Sequence, residues 1–260
     1  MAPHARKTDE GSASRPPSSS HSERAPIDTV ALAATGIRVH RDGKDVLRGI
    51  DLAAHAGEVL GVLGPSGAGK STLFGTLVGE FLPDAGKIMM AGRDITRWPL
   101  WRRARAGIGY VPQGPSVLWD LTVRENLETF GRIAGVPPGD VDLAAGRVGL
   151  QAQMNVMAKE LSGGERRRLE LARAMTRQPK VLVCDEPFAG VDPAATGRLG
   201  ELLADLARAG TAVLLADHHV AEALCVCHRA VLLLDGAIAA EASATAFAEL
   251  PLVRERYLGR

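Results

Sequence analysis

The 260-residue sequence lacks a long hydrophobic run, an excess of charge and a framework of cysteines. Its apolar stretches fall short of the roughly 20 residues that cross a bilayer, so we expect membrane association only through another protein. A net charge of +1 gives no broad electrostatic basis for binding nucleic acid or anionic lipid. The three cysteines do not suggest a disulfide scaffold, and the sequence therefore predicts a cytosolic protein.

The composition of the sequence changes near residue 28. Residues 1–28 are rich in Ser, Pro, Ala and charged residues without apolar periodicity, so we expect a disordered extension. Residues 29–260 form the predicted folded domain. Its strand-like segments lie at 30–39, 46–54, 58–63, 86–92, 108–113, 181–184, 211–215 and 230–238. Their alternation with helical patterns predicts an α/β fold with a mainly parallel sheet, and the helical stretch at about 115–176 predicts an inserted lobe.

A phosphate-binding loop follows the apolar segment 59–63 and precedes a helical pattern. Its glycines let consecutive backbone N–H groups curl around a polyphosphate, at the positive end of the helix. Lys70 can reach the β- and γ-phosphates, and the Ser71 hydroxyl can ligate Mg²⁺. The predicted nucleotide-binding residues of this loop are Gly64, Pro65, Ser66, Gly67, Ala68, Gly69, Lys70, Ser71 and Thr72. The sequence therefore predicts binding of a nucleoside triphosphate.

Two carboxylates follow a second apolar segment, Val181–Cys184. Ligands of open α/β sheets bind at the carboxyl ends of the strands, which is where Asp185 and Glu186 emerge. Asp185 is placed to hold Mg²⁺, directly or through water, and Glu186 to polarise an attacking water. We expect Cys184 to be a small core residue.

A further segment, Leu161–Glu165, reads Leu-Ser-Gly-Gly-Glu and opens a predicted helix. Ser162 stands in the capping position, and Gly163 and Gly164 expose backbone N–H groups, which makes a second anion site. Here the sequence resembles the ATPase subunits of ABC transporters, over about residues 35–258. The resemblance implies a P-loop NTPase with an ABC-type core, an antiparallel β piece and an inserted helical lobe.

The same resemblance implies roles for residues elsewhere. Gln113 is similar to the glutamine that reaches Mg²⁺ and senses a transmembrane partner, and Asp192 to an aspartate that communicates between sites. His218 is similar to the histidine that contacts the γ-phosphate, whereas we assign His219 to packing or solvent. In this family, residues 162–164 of one subunit cover the ATP of another. The resemblance thus implies a head-to-tail homodimer with ATP and Mg²⁺ as cofactors.

Several stretches are similar in particular to the ATPases of lipopolysaccharide exporters. They are 99–110, 161–173, 185–193, 216–220 and 257–259. This similarity implies permease subunits as partners and a peripheral position on the cytoplasmic face of the inner membrane. Two alternatives stay open, the ATPase of a branched-chain amino-acid-type importer and an ABC ATPase that acts as an assembly factor.

Three local features leave weaker predictions. Relatives stack adenine on an aromatic residue upstream of the phosphate loop, where this sequence offers His40 or Arg41. Segment 165–173 is rich in arginine, and helical spacing predicts a solvated face with Glu170 paired to its neighbours rather than a nucleic-acid site. In this family Trp119 would border the groove for a permease helix, and both exposure and burial of its side chain are consistent with the sequence.

Overall fold

The computed structural model describes residues 29–135 and 139–259. The predicted disordered extension, residues 1–28, lies outside them. The strands are β1 (Val30–Arg41), β2 (Lys44–His55), β3 (Val59–Leu63), β4 (Ala85–Met90), β5 (Arg93–Asp94), β6 (Ile108–Val111), β7 (Val181–Asp185), β8 (Ala212–Ala216), β9 (Arg229–Leu234) and β10 (Ala237–Ser243). The α-helices are α1 (Lys70–Val78), α2 (Leu100–Ala106), α3 (Val123–Ala134), α4 (Gly139–Arg147), α5 (Gly163–Met175), α6 (Pro193–Arg208), α7 (Val220–Val226), α8 (Ala244–Phe247) and α9 (Pro251–Val253). Shorter turns of 3₁₀ helix lie at Gln151–Gln153 and Ala158–Glu160, and a π-helical turn lies at Arg254–Leu258.

A mostly parallel sheet with the order β10-β9-β3-β8-β7-β6 is the framework of the fold. Its hairpin β9–β10 is antiparallel, and the other neighbours pair in parallel. A second, antiparallel sheet has the order β2-β1-β4-β5. The α/β fold class with a mainly parallel sheet is confirmed. The hairpin turn is also confirmed, since Asp235 and Gly236 both have positive φ, as a tight two-residue turn requires.

The parallel sheet separates two hydrophobic cores. Val59 and Leu63 face one core, and the alternate residues Leu60 and Val62 face the other, because successive side chains of a strand point to opposite faces. The first core also takes apolar side chains from α3 to α7, and the second takes those of α1 and the antiparallel sheet. Helices α3, α4 and α5 lie between β6 and β7 in the chain, within the stretch predicted to form a lobe.

The parallel arrangement brings the carboxyl ends of β3, β7 and β8 to one edge. The segments that follow these strands begin at residues 64, 186 and 217, so the phosphate loop and the acidic and histidine motifs meet there. In the described ranges, no helix has the length and apolar character needed to cross a membrane.

Candidate functional site

The phosphate loop connects β3 to α1 in a conformation that needs glycine. Gly64 has φ +157°, and a Cβ at this residue would lie 2.2 Å from the carbonyl oxygen of Leu233. Gly69 has φ +106°, and its Cβ would lie 3.1 Å from the carbonyl oxygen of Val46. The loop is thus wedged between β2 and the β9–β10 hairpin, and α1 begins directly after it.

The Lys70 side chain folds back over this loop. Its Nζ donates hydrogen bonds to the carbonyl oxygens of Gly64 (2.7 Å) and Pro65 (3.0 Å). Partial burial lowers the pKa of the Lys70 ammonium, and the nearby carboxylates of Glu186 and Asp185 oppose this shift. The positive charge of Lys70 therefore lies between the loop and the acidic end of β7.

Asp185 is the last residue of β7, and only 1 % of it is exposed. Burial raises the pKa of its carboxyl, while the Ser71 hydroxyl and the charge of Lys70 act in the opposite direction. Within the described residues, Asp185 Oδ1 is buried without a hydrogen-bond partner. A buried carboxylate oxygen with free acceptor capacity beside a hydroxyl fits a hard cation such as Mg²⁺, which prefers oxygen ligands.

Glu186 follows Asp185 in a strained backbone conformation, with φ +52°. Its N–H donates to the carbonyl oxygen of Ala216 (2.7 Å), which fixes this turn against β8. Its carboxylate Oε2 lies 3.6 Å from Nδ1 of His218. The structure therefore brings together the two residues predicted to act on the attacking water and the γ-phosphate.

A cavity of about 630 Å³ contains most of the predicted site. Its walls are Val46, Gly64, Pro65, Ser66, Gly67, Gly69, Lys70, Ser71, Thr72, Gln113, Glu186, His218, Val220 and Tyr257. The loop residue Ala68 and the carboxylate residue Asp185 are buried and do not line the cavity. Val46, Val220 and Tyr257 also line this cavity but were not predicted as site residues. Val46 and Tyr257 are distant in sequence from the motifs, and Val46 and Val220 have apolar side chains that no motif singles out.

Asp217 is a further residue that the sequence motifs did not identify as part of the site. Its side chain is fully buried, and its Oδ2 accepts the N–H of Phe188 (3.0 Å). Its Oδ1 accepts the N–H of His219 and lies 2.9 Å from the Nδ1 of that ring. Asp217 therefore fixes the loop that carries His218. Its position directly after an apolar strand, like that of Asp185, was the available signal.

The segment Leu161–Glu165 lies elsewhere. Ser162 caps α5 through a reciprocal capping box with Glu165, whose side chain accepts the Ser162 N–H at 2.9 Å. A Cβ on Gly163 would lie 2.9 Å from the carbonyl oxygen of Gly190, so this segment packs against the loop that precedes α6. Asp192 caps α6 there by accepting the Ala195 N–H. Residues 162–164 do not line the phosphate-loop cavity of their own chain.

The prediction of a solvated, charge-paired face on α5 is wrong. Arg167 and Glu170 are both buried and form an ion pair of 2.7 Å. Arg167 also donates to the carbonyl oxygens of Asp185 (2.5 Å) and Glu186 (2.8 Å), while Glu170 accepts the Ser116 N–H (2.6 Å). Helical spacing alone could not reveal this, because the carbonyl partners belong to the end of β7 and the turn after it.

The segment upstream of the loop has its polar side chains engaged. His40 Nδ1 lies 2.9 Å from Asp45 Oδ1, and the Arg41 guanidinium lies 3.8 Å from the centre of the Phe81 ring. Val46 is the residue of this region that lines the cavity. Stacking of adenine on His40 or Arg41 stays a prediction.

The fold and the site define a nucleotide-binding P-loop ATPase. A family model described as ABC transporter matches residues 47–189. The chain belongs to the ABC transporter ATP-binding family and is an ATPase subunit, as its motifs predicted.

Similar proteins agree with this assignment. The lipopolysaccharide export system ATP-binding protein LptB of Acidithiobacillus ferridurans is 39% identical over 82% of this chain and 90% of its own length. LptB of Escherichia coli strain K12 is 37% identical over 88% of this chain and 97% of its own length. A crystal structure of the ADP conformation of MJ1267, an ATP-binding cassette of an ABC transporter, superposes with a TM-score of 0.80 at 27% identity, covering 89% of this chain and all of that one.

Proposed function

We propose that this chain powers lipopolysaccharide export as a head-to-tail homodimer docked on two permease subunits at the cytoplasmic face of the inner membrane. The meeting of the phosphate loop, Glu186 and His218 around one cavity carries the ATPase part of the proposal. The LptB relatives, at 37–39% identity over most of the chain, support the cargo.

The residues of the site have separable tasks in ATP hydrolysis. The loop N–H groups and Lys70 bind and orient the phosphates. Ser71, Gln113 and Asp185 would hold Mg²⁺, which neutralises charge on the phosphates when bound. Glu186 orients and polarises the attacking water. His218, whose Nδ1 lies 3.6 Å from Oε2 of Glu186, contacts the γ-phosphate.

The place of the segment Leu161–Glu165 supports the dimer. Gly163 and Gly164 place their backbone N–H groups in the first turn of α5, a favourable position for an anion, but the segment does not line its own chain's nucleotide cavity. A head-to-tail pair would place Ser162, Gly163 and Gly164 of one protomer over the phosphates held by its partner. Two-fold symmetry then completes both sites at once.

An apolar groove of about 520 Å³ supports the docking of a permease. Trp101 and Ile133 line its walls, and 60% and 66% of their surfaces are exposed. Trp119 lies outside the groove and is 43% exposed, and the Arg166 guanidinium lies 5.5 Å from the centre of its ring. Such exposed apolar side chains mark an interaction surface. Of the two open possibilities for Trp119, the structure has the exposed one.

The groove is connected to the catalytic edge. Glu170 lines the groove and binds Arg167, which in turn holds the backbone carbonyls of Asp185 and Glu186. A permease segment that displaces the groove wall would therefore shift the turn that carries Glu186. This chain of contacts gives the transporter a route to couple its conformation to hydrolysis.

The first experiment measures hydrolysis and assembly together. Glu186→Gln would bind ATP, lose hydrolysis and elute from size-exclusion chromatography as a stable dimer in the presence of ATP. The reason is that the groups that bind the phosphates remain, whereas the carboxylate that polarises the attacking water is gone. Lys70→Ala is the matched control and would neither bind ATP tightly nor dimerise. Wild-type turnover in Glu186→Gln would overturn the assignment of the base.

The second experiment tests the partner and the cargo. We expect the tagged chain to copurify, from detergent-solubilised membranes of its own source, with a permease pair that binds lipopolysaccharide. Trp101→Ser, which alters only the exposed groove wall, would keep basal ATPase and reduce this copurification. Solute-importer permeases, or the absence of any permease, would contradict the export role.

A further inference from the structure

Two consecutive histidines follow the buried Asp217 at the end of β8. One donor atom from each of Asp217, His218 and His219 lies within 4.8 Å of the others. Among residues 29–135 and 139–259, this is the group of three or more His, Cys, Asp or Glu side chains found at such spacing. The proposed hydrolytic mechanism uses His218 and leaves His219 without a task.

The distances between these donors are close to those in a tetrahedral metal site. Asp217 Oδ1 lies 2.9 Å from His219 Nδ1 and 3.6 Å from His218 Nδ1. Ligands about 2.0–2.1 Å from a tetrahedral ion are separated by roughly 3.3 Å. Glu186 Oε2, also 3.6 Å from His218 Nδ1, stands where a fourth donor could join.

The surroundings favour capture of an ion from solvent. The buried Asp217 accepts a hydrogen bond from the Phe188 N–H, whereas 57% of the His218 side chain and 41% of the His219 side chain are exposed to solvent. The centroids of the two rings lie 4.0 Å apart, and the ring planes are tilted by 41°. Two imidazoles with a carboxylate suit a late transition metal, whereas Mg²⁺ prefers oxygen ligands alone.

We propose that Asp217, His218 and His219 bind a divalent late transition-metal ion such as Zn²⁺, and that the bound ion inhibits ATP hydrolysis. The ion displaces the hydrogen bond between Asp217 Oδ1 and His219 Nδ1, and the neutral His219 ring then binds the ion through Nδ1 and carries its proton on Nε2. It also withdraws His218 from the γ-phosphate. The inhibitory part rests on the proposed role of His218, while the metal site itself does not.

Binding of Zn²⁺ alone tests the site. Isothermal titration calorimetry of the full chain, which carries a tag without histidines, is expected to give a stoichiometry of one bound Zn²⁺ per chain. His219→Asn should lower the affinity about tenfold or more, and asparagine is a favourable residue at the N-cap of α7, where His219 makes no side-chain capping hydrogen bond. Cys225→Ser, which removes an exposed thiol of α7, should leave the affinity unchanged. Equal Zn²⁺ affinity in His219→Asn and the wild type would overturn the site.

Hydrolysis in buffered Zn²⁺ tests the inhibition. We expect the wild type to lose activity as free Zn²⁺ rises and to recover it with a chelator. His219→Asn should keep basal ATPase and resist Zn²⁺. Inhibition that is the same in both proteins would overturn the inhibitory role of this site. A wild type without ATPase in metal-buffered, Zn²⁺-free solution would instead contradict the proposed function.

Discussion

Arg167 and Glu170 form a buried ion pair, with their side-chain atoms 2.7 Å apart, between α5 and the catalytic edge of the sheet. Arg167 reaches the carbonyl oxygens of both Asp185 and Glu186. The pair therefore holds the backbone from which the predicted metal ligand and base project. It links the helix that begins with the segment Leu161–Glu165 to the nucleotide site of the same chain.

Arg167→Met should lower the free energy of unfolding by about 3 kcal/mol, because it leaves the buried Glu170 carboxylate without its arginine partner. Urea denaturation measures this loss. The control Arg208→Met removes an exposed partner of Asp205 and should change stability by less than about 0.5 kcal/mol. Adding Glu170→Met to Arg167→Met should restore part of the loss. No recovery in that double variant would show that the carbonyl contacts, not the ion pair, dominate.

Two equivalent capping boxes separate a structural role from a functional one. Thr122 with Glu125 caps α3, and Ser162 with Glu165 caps α5 in the same way. Thr122→Ala and Ser162→Ala should each cost about 1 kcal/mol of stability. Only Ser162→Ala should also lower kcat/KM for ATP, since Ser162 is proposed to contact the partner's nucleotide. Equal ATPase kinetics in the two variants would contradict that contact.

Asp185→Asn should stabilise the nucleotide-free protein at neutral pH while abolishing hydrolysis. The pKa of the Asp185 carboxyl is raised above its ordinary 3.8, mainly by burial. A raised folded-state pKa contributes stability that is present below the unfolded value and lost as pH rises through the folded value. The gain in Tm of the variant should therefore shrink as the pH is lowered toward 3.8.

The pKa of the exposed Asp94 carboxyl is shifted in the opposite direction from that of Asp185. Hydrogen bonds from Thr96 lower the pKa of the Asp94 carboxyl, so this group stabilises the fold above its ordinary pKa and loses that effect as pH falls. Asp94→Asn should lower Tm at neutral pH. For the Asp185→Asn variant, a Tm below that of the wild type at pH 7 would contradict the argument that burial destabilises the charged carboxylate.

Arg103 is a buried arginine that serves backbone carbonyls. Its guanidinium donates to Thr76, Leu77, Thr96 and Trp98, and burial lowers its pKa to about 10. Arg103→Met should cost about 3 kcal/mol in urea denaturation, because these buried acceptors lose their donor. The exposed Arg97→Met serves as the control and should be nearly neutral. A neutral Arg103→Met would mean that water replaces the guanidinium.

The sequence was most informative where the chemistry is local. The phosphate loop and the strand-end pair of Asp185 and Glu186 each lie within a few consecutive residues, so spacing alone predicted their place. Arg167 donates to carbonyl oxygens of Asp185 and Glu186, and Tyr257 lines the phosphate-loop cavity, although both residues are far from these partners in the chain. Their positions depend on packing against β7 and the phosphate loop, which periodicity does not encode.

The phosphate loop is held in place by the protein itself. The Gly236 N–H donates to the carbonyl oxygen of Ala68 (3.1 Å), and Lys70 ties down the carbonyls of Gly64 and Pro65. A loop fixed in this way has little conformational freedom left to lose on binding. Nucleotide association should then carry a small entropic penalty, and loosening the hairpin turn at Gly236 should weaken nucleotide affinity without altering any group that touches phosphate.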